Sequence, residues 1–188
     1  MSDETERLTG FLYEMGVLKR YKRTGWLVAG VNDPESIADH SFRAALIASV
    51  LAVMEGANPE RAAILSLFHD TQETRLTDLP HSARPYVTKV PNEQVTAHQM
   101  RGVPEPVAAM VSGVVTEYEA ESSPEARCAR DADKLECLIQ AVEYREHGNN
   151  NTQGWIDTAL AQLQTESAKQ IAAKALTTPS LEWVADTR

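Results

Sequence analysis

Apolar side chains recur along most of this chain every three to four residues, the rhythm of amphipathic helices. Leu8, Phe11, Leu12 and Met15 set it first and predict a helix over residues 2–18. An irregular stretch follows over residues 19–35, marked by Gly25, Gly30 and Asn32-Asp33-Pro34. Ser36-Ile37-Ala38-Asp39 offers an N-cap hydroxyl and a carboxylate three residues on, close to a capping box, and predicts a helix over 36–55. Asn58-Pro59, a cap followed by proline at the first helical position, predicts another that runs to about residue 73. Pro80, Pro85 and Pro91 break residues 74–91 and leave room for a short helix around Tyr86. Further helices are expected over 92–100 and 104–118, and from Ser122-Ser123-Pro124-Glu125 to about residue 147. Gly148-Asn149-Asn150-Asn151 is a turn cluster, and one last long helix is predicted over 153–176. No alternating apolar run competes for a strand, and no repeat, low-complexity tract or linker divides the chain. The expected fold is all-α, one domain over residues 1–188.

Composition changes this picture little. The 188 residues suit one domain, and 43% hydrophobic with 24% charged residues is ordinary for a globular protein. The net charge of −9 is informative. A protein that binds nucleic-acid polymer needs a basic surface to displace counterions, and the balance here runs the other way. A local basic pocket for one small anion is compatible with it. The longest clean apolar run, residues 44–54, falls well short of the roughly 20 needed to cross a bilayer. The acidic, polar start is unlike a secretory signal. We therefore expect a cytoplasmic protein without membrane association. Cys128 and Cys137 lie on one predicted helix, roughly 13 Å apart along its axis. A disulfide needs Cα atoms within about 7 Å, so both are expected as small buried hydrophobes.

Candidate chemistry lies where ligand-type residues share apolar helix faces. His40 shares a stripe with Ile37, Ala44, Ile47, Leu51 and Met54, and His69 one with Ala62 and Leu65. Asp70 follows directly, and Glu73 is one turn after His69 on the same expected helix face. Asp133 shares a stripe with Ala126, Ala129, Cys137 and Tyr144. An ionised carboxylate is costly to bury unless paired or bound to metal. Two His and two Asp suit several divalent first-row metals and leave coordination positions for water and substrate. Singly, each residue has an ordinary alternative: a hydrogen-bonded core histidine, or a solvated or capping aspartate. His81, His98 and His147 lack comparable partners and are taken as surface or loop residues.

The order His, His-Asp, Asp, each on its own helix, resembles the HD-domain superfamily of metal-dependent phosphohydrolases. Five segments in order are similar to its 5'-deoxynucleotidase branch: Arg23-Thr24-Gly25-Trp26, Pro34-Glu35-Ser36-Ile37-Ala38-Asp39-His40-Ser41, Phe68-His69-Asp70-Thr71-Gln72-Glu73, Thr77-Asp78-Leu79-Pro80 and Asp133-Lys134-Leu135-Glu136. The resemblance covers roughly residues 7–165. It implies an HD-domain helical bundle, a homodimer, a small-molecule nucleotide substrate and one divalent transition metal (Co, Mn, Zn, Fe, Ni or Cu). It further implies His40, His69, Asp70 and Asp133 as metal ligands and Glu73 as the carboxylate that handles the attacking water. Arg23 matches a phosphate-contacting arginine, Trp26 an aromatic beside the sugar, and Asp78 an acidic catalytic residue near the sugar hydroxyls. Two positions depart from the pattern: Thr77 stands where the family often has glycine, and Gly25 directly precedes Trp26 where some members have the arginine. The expected reaction is hydrolysis of a (deoxy)nucleoside 5'-monophosphate to nucleoside and phosphate. The rival expectations are a hydrolase of another phosphate ester and a non-catalytic nucleotide-binding protein with a vestigial metal site.

Overall fold

The computed structural model describes residues 2–185 and 187. They form a single helical domain: α1 (Ser2–Met15), α2 (Thr24–Val28), α3 (Ile37–Glu55), α4 (Pro59–Phe68), α5 (Glu73–Leu76), α6 (Asn92–Gln99), α7 (Glu105–Ala120), α8 (Pro124–Glu146), α9 (Gln153–Gln162), α10 (Glu166–Ala175) and α11 (Glu182–Ala185). Three short 3-10 turns add Gly16–Lys19, His81–Tyr86 and Asn150–Thr152. Among the described residues the only β-type pairing is an isolated bridge between Lys22 and Ser36.

The cap signals act as the sequence predicts. Ser36 accepts from the Asp39 N–H at 3.1 Å while Asp39 accepts from the Ser36 N–H at 2.8 Å, a reciprocal capping box that opens α3. Asn58 caps α4 and Ser123 caps α8, each with proline behind it. The heaviest packing joins α3, α4 and α8, and α9 lies along α8. Ile37, Ala44, Leu51, Ala62, Leu65, Ala126, Ala129 and Leu135 are fully buried between them. These three mutually packed helices are the ones that carry the candidate ligands. Met54, expected on the core stripe of α3, is half exposed and lies with Val50 and Val53 on the outer side of the helix, while Leu51 and Ala52 beside it are buried.

Two expected helices are each broken. The helix from Pro59 stops at Phe68, because side chains take the carbonyls of its last turn. His69 Nδ1–H donates to the Ser66 carbonyl at 2.6 Å, and Thr71 Oγ1 donates to that of Phe68 at 2.9 Å. Glu73 therefore opens a separate short helix rather than sitting one turn along from His69 on a common one. The predicted helix over 153–176 breaks at 163–165, where the buried Asp131 carboxylate accepts from the N–H of Gln164 (2.9 Å) and from the N–H and hydroxyl of Thr165 (2.6 Å each). Thr165 then caps α10.

Candidate metal centre

Each ligand-type residue reaches the centre by a different local device. His40 sits one turn into α3, held there by the capping box. His69 is the C-cap of α4, and the early end of that helix turns Asp70 inward beside it. Asp133 projects from the middle of α8. His40 Nε2 and His69 Nε2 lie 3.3 Å apart. Asp133 Oδ1 is 3.2 Å from the first and 3.8 Å from the second, and Asp70 Oδ2 is 3.9 and 3.1 Å from them. Ligand atoms that share one ion at about 2.0–2.2 Å must stand roughly 3–4 Å from one another, which is this spacing.

The hydrogen-bond network supplies an independent test of fit. His69 Nδ1–H donates to a backbone carbonyl, which turns Nε2 to the centre. His40 Nδ1–H donates at 2.5 Å to Glu136 Oε2, with the same result. Two imidazole nitrogens thus face each other at 3.3 Å with two carboxylates alongside. That arrangement repels itself unless a positive charge stands between the rings. Burial and Arg23 oppose charge on His40, yet Glu136 and Asp133 outweigh them and lift its pKa to about 10. Burial works against ionised Asp70 and Asp133, but His69 and Arg23 around Asp70, and Lys134 and His40 around Asp133, hold both carboxyls well below their usual range. The residues fit a divalent cation.

Glu136 is a functional residue that sequence reasoning left without a role. It is completely buried behind His40, and Arg43 donates to its other oxygen from Nε (3.0 Å) and Nη2 (2.8 Å). Arg43 is itself held by Glu143 and Gln140. A carboxylate on the far nitrogen of a ligating imidazole fixes ring orientation and raises ligand basicity. Glu35 and Glu136 flank His40 closely enough to form a second acidic group. Trp26 and Arg43 already bond them, so their part is support for the imidazole. Lys134 plays the corresponding part for Asp133, donating to Oδ2 at 2.7 Å and leaving Oδ1 for the centre.

The centre opens into a cavity of about 480 Å³, within the range of small-molecule sites. Five Lys or Arg and five Asp or Glu line it, so a chain of net charge −9 carries a locally balanced pocket that a bound cation would make positive. Arg23 lies inside, its Nη1 3.4 Å from Asp70 and 3.5 Å from Asp78. Asp78 also ties down the start of α2, accepting from the Thr24 N–H at 2.5 Å and from the Thr24 hydroxyl at 3.1 Å. Thr77, just before it, has φ +60°, a conformation at home on glycine and costing about 1–3 kcal/mol elsewhere. This is the physical reason glycine suits that position, and here the strain is held at the cavity wall. Glu73 lines the same wall with a buried Oε2 that has no hydrogen-bond partner, and burial, followed by the Asp70 and Asp78 charges, pushes its carboxyl well above the usual range.

Trp26 is only 2% exposed. Its indole N–H donates to Glu35 Oε1 at 2.9 Å, and its ring packs on Tyr144 and Trp155, so only an edge reaches the cavity. His81 lines the cavity as well, whereas His98 and His147 are plainly exposed. Tyr118 packs on His69 with its buried hydroxyl unpaired, and Arg130 covers its other face at 4.1 Å.

Comparison with known proteins agrees with this geometry. A family model described as an HD domain matches residues 15–176. The chain is 32% identical to the 5'-deoxynucleotidase HDDC2 of Homo sapiens, over 89% of this chain and 90% of that one. It is 32% identical to the 5'-deoxynucleotidase hdd1 of Schizosaccharomyces pombe, over 74% and 73%. Among solved structures, a conserved hypothetical protein from Pyrococcus furiosus superposes with TM-score 0.73 at 31% identity, covering 89% of this chain and 98% of that one. A cyanophage S-2L HD phosphohydrolase bound to dA and one catalytic Zn2+ ion shares the fold at TM-score 0.53 and 20% identity, over 86% and 91%. With the candidate ligands brought together by three packed helices and a family match over residues 15–176, the chain belongs to the HD-domain family.

Proposed function

We propose that this protein is a metal-dependent 5'-deoxynucleotidase that hydrolyses deoxyribonucleoside 5'-monophosphates to nucleoside and inorganic phosphate. The observation that carries the reading is the convergence of His40, His69, Asp70 and Asp133 at the wall of a cavity that Arg23 and Glu73 also line. The naming of its relatives as 5'-deoxynucleotidases supports the substrate class. Those four residues would hold a divalent ion, which would supply a lowered pKa for bound water and neutralise charge on the phosphoryl oxygens. Arg23 offers the phosphate several N–H donors in fixed geometry, which lysine cannot. Glu73 Oε2, buried and unpartnered, orients the attacking water and takes its proton as water adds to phosphorus. The P–O5' bond breaks, the leaving O5' takes up a proton from solvent, and Glu73 returns the proton it accepted to solvent. Asp78 acts through the turn it anchors, holding Arg23 in place.

Preference for the deoxy sugar is assigned to the Trp26 edge. The ring is locked by Glu35, Tyr144 and Trp155, so it does not yield to a 2'-hydroxyl. Its one polar group only donates and is already engaged. Rejection of an added hydroxyl by an apolar wall reaches at most about 10²-fold. We expect kcat/KM for deoxyribonucleotides to exceed that for the matching ribonucleotides by roughly 10- to 100-fold, read by phosphate release over a panel that includes other phosphomonoesters and diesters. Equal values for the two sugars would refute the selectivity, and turnover confined to another ester would refute the nucleotidase reading.

We further read the protein as a cytoplasmic homodimer. Support for the dimer is the outer face of α3, where Phe42, Leu46, Val50, Val53 and Met54 are all at least half exposed, an apolar stripe of a kind that marks interaction surfaces. Sedimentation equilibrium at the mass of one chain would contradict it. The reading of α3 as a core helix rather than a membrane span rests on its packing against α4 and α8 and on the buried His40 it carries. Support for the compartment is that Cys128 and Cys137 are both free thiols.

A further inference from the structure

The metal cavity does not end at the metal. A second lobe of about 380 Å³ shares Arg23, Arg84, Asp133, Lys134 and Trp155 with it and runs on towards α9. The two lobes differ in chemistry. The first is crowded with carboxylates and cations, whereas the residues lining the second alone, among them Val28, Thr158, Ala159 and Gln162, include no ionisable side chain. Trp155 stands where the lobes meet. Its indole is half-buried and braced against Trp26, ring centroids 5.6 Å apart at 33°. A Cβ at position 25 would come within 3.1 Å of the indole nitrogen, so Gly25 is what lets the ring stand this close to the Arg23 turn. The unusual glycine before Trp26 thus has a physical reason in Trp155.

We propose that this second lobe is the nucleobase subsite, with Trp155 as its stacking platform and the Gln162 amide at its rim facing the polar edge of the base. The proposal rests on the nucleotide reading above. A phosphoryl group at the first lobe carries its sugar and base outward, and the second lobe is the continuation, with its charged side chains on the shared side, Trp155 at the junction, and Val28 and Ala159 on the far walls. Every base has a π-face, so stacking on an indole is strong yet tolerant of sequence. An amide presents both donor and acceptor and so accommodates more than one base. Sequence reasoning passed over Trp155 because it lies on α9, far along the chain from every motif.

The test compares deoxyadenosine 5'-monophosphate with 2-deoxyribose 5-phosphate, which keeps the sugar and phosphate but lacks the base. Alanine substitution of a stacking aromatic costs about 1–3 kcal/mol per base, which is roughly 5- to 150-fold. Trp155→Leu is expected to lower the ratio of the two kcat/KM values by that factor, and Trp155→Phe to keep most of it. Because Trp155 also braces Trp26, a second variant guards against misfolding. Thr158→Tyr, at an exposed position on α9, fills the lobe and is expected to lower the same ratio at least about 5-fold. Calorimetric titration with deoxyadenosine reads the subsite without catalysis, and both variants are expected to weaken binding by a similar factor. An unchanged ratio together with unchanged deoxyadenosine affinity in both variants would overturn the subsite. If the unaltered protein hydrolysed neither phosphate, the nucleotidase reading would fall, and the nucleoside titration would still decide the subsite.

Discussion

Replacing Glu73 with glutamine is expected to leave the metal bound and to reduce turnover by about 10²- to 10⁴-fold, the usual worth of a general acid–base group. The expectation comes from position and from surroundings. Glu73 lies in the cavity wall at the start of α5, with one oxygen buried and without a partner. Burial and the charges of Asp70 and Asp78 make it a reluctant carboxylate, ready to hold a proton. Glutamine keeps the shape and removes the proton-accepting oxygen, so the loss should fall on kcat with KM little changed. Metal per chain by elemental analysis, measured beside phosphate release, separates the roles. Loss of metal in Glu73→Gln would reclassify Glu73 as a ligand, and an unchanged rate would remove it from the chemistry.

His69→Ala and Asp70→Ala are each expected to abolish stoichiometric metal binding while leaving most of the helical circular dichroism. His69 Nε2 is within 3.3 Å of His40 Nε2 and 3.1 Å of Asp70 Oδ2, so either change opens one side of the ligand set. The fold should survive, because both residues lie beyond the last turn of α4 and the α3–α4–α8 core is built from Leu51, Leu65, Leu135 and the alanines between them. Asp70→Ala also removes the nearer of the two carboxylates beside Arg23, so its activity should fall at least as far as its metal content. Full metal occupancy in both variants would contradict the ligand assignment.

How much of this was legible beforehand depended on whether a residue's role is written locally. Helix starts were, because a cap is a property of four adjacent residues: Ser36 with Asp39, Asn58 with Pro59, and Ser123 with Pro124 each gave the start of a helix. Helix ends set by side chains were not. The break after Phe68 depends on which carbonyls His69 and Thr71 choose, and the break at 163–165 depends on Asp131, more than thirty residues earlier. Thr165-Glu166 was a readable cap signal inside what otherwise looked like one helix. That His40, His69, Asp70 and Asp133 come together was legible through their order along the chain and the apolar stripes around them. Glu136 was not singled out, since one more acid on a charged helix looks solvated. The available signal was its spacing of three from Asp133, on the buried side of α8, and of Arg43 from His40 on α3. Trp26 shows the reverse. The motif placed it at the substrate, and the structure gives most of its ring to the core, with Glu35 taking its only donor.

The most direct test of metal-dependent nucleotidase action uses the unaltered protein. Metal content and phosphate release from deoxyadenosine 5'-monophosphate are measured before chelation, after it, and after adding back Co, Mn, Zn, Fe, Ni or Cu singly. One ion per chain, turnover that disappears with the ion, and turnover restored by at least one of these metals is the predicted result. Undiminished phosphate release from protein stripped of metal, or no release with any of them, would contradict it.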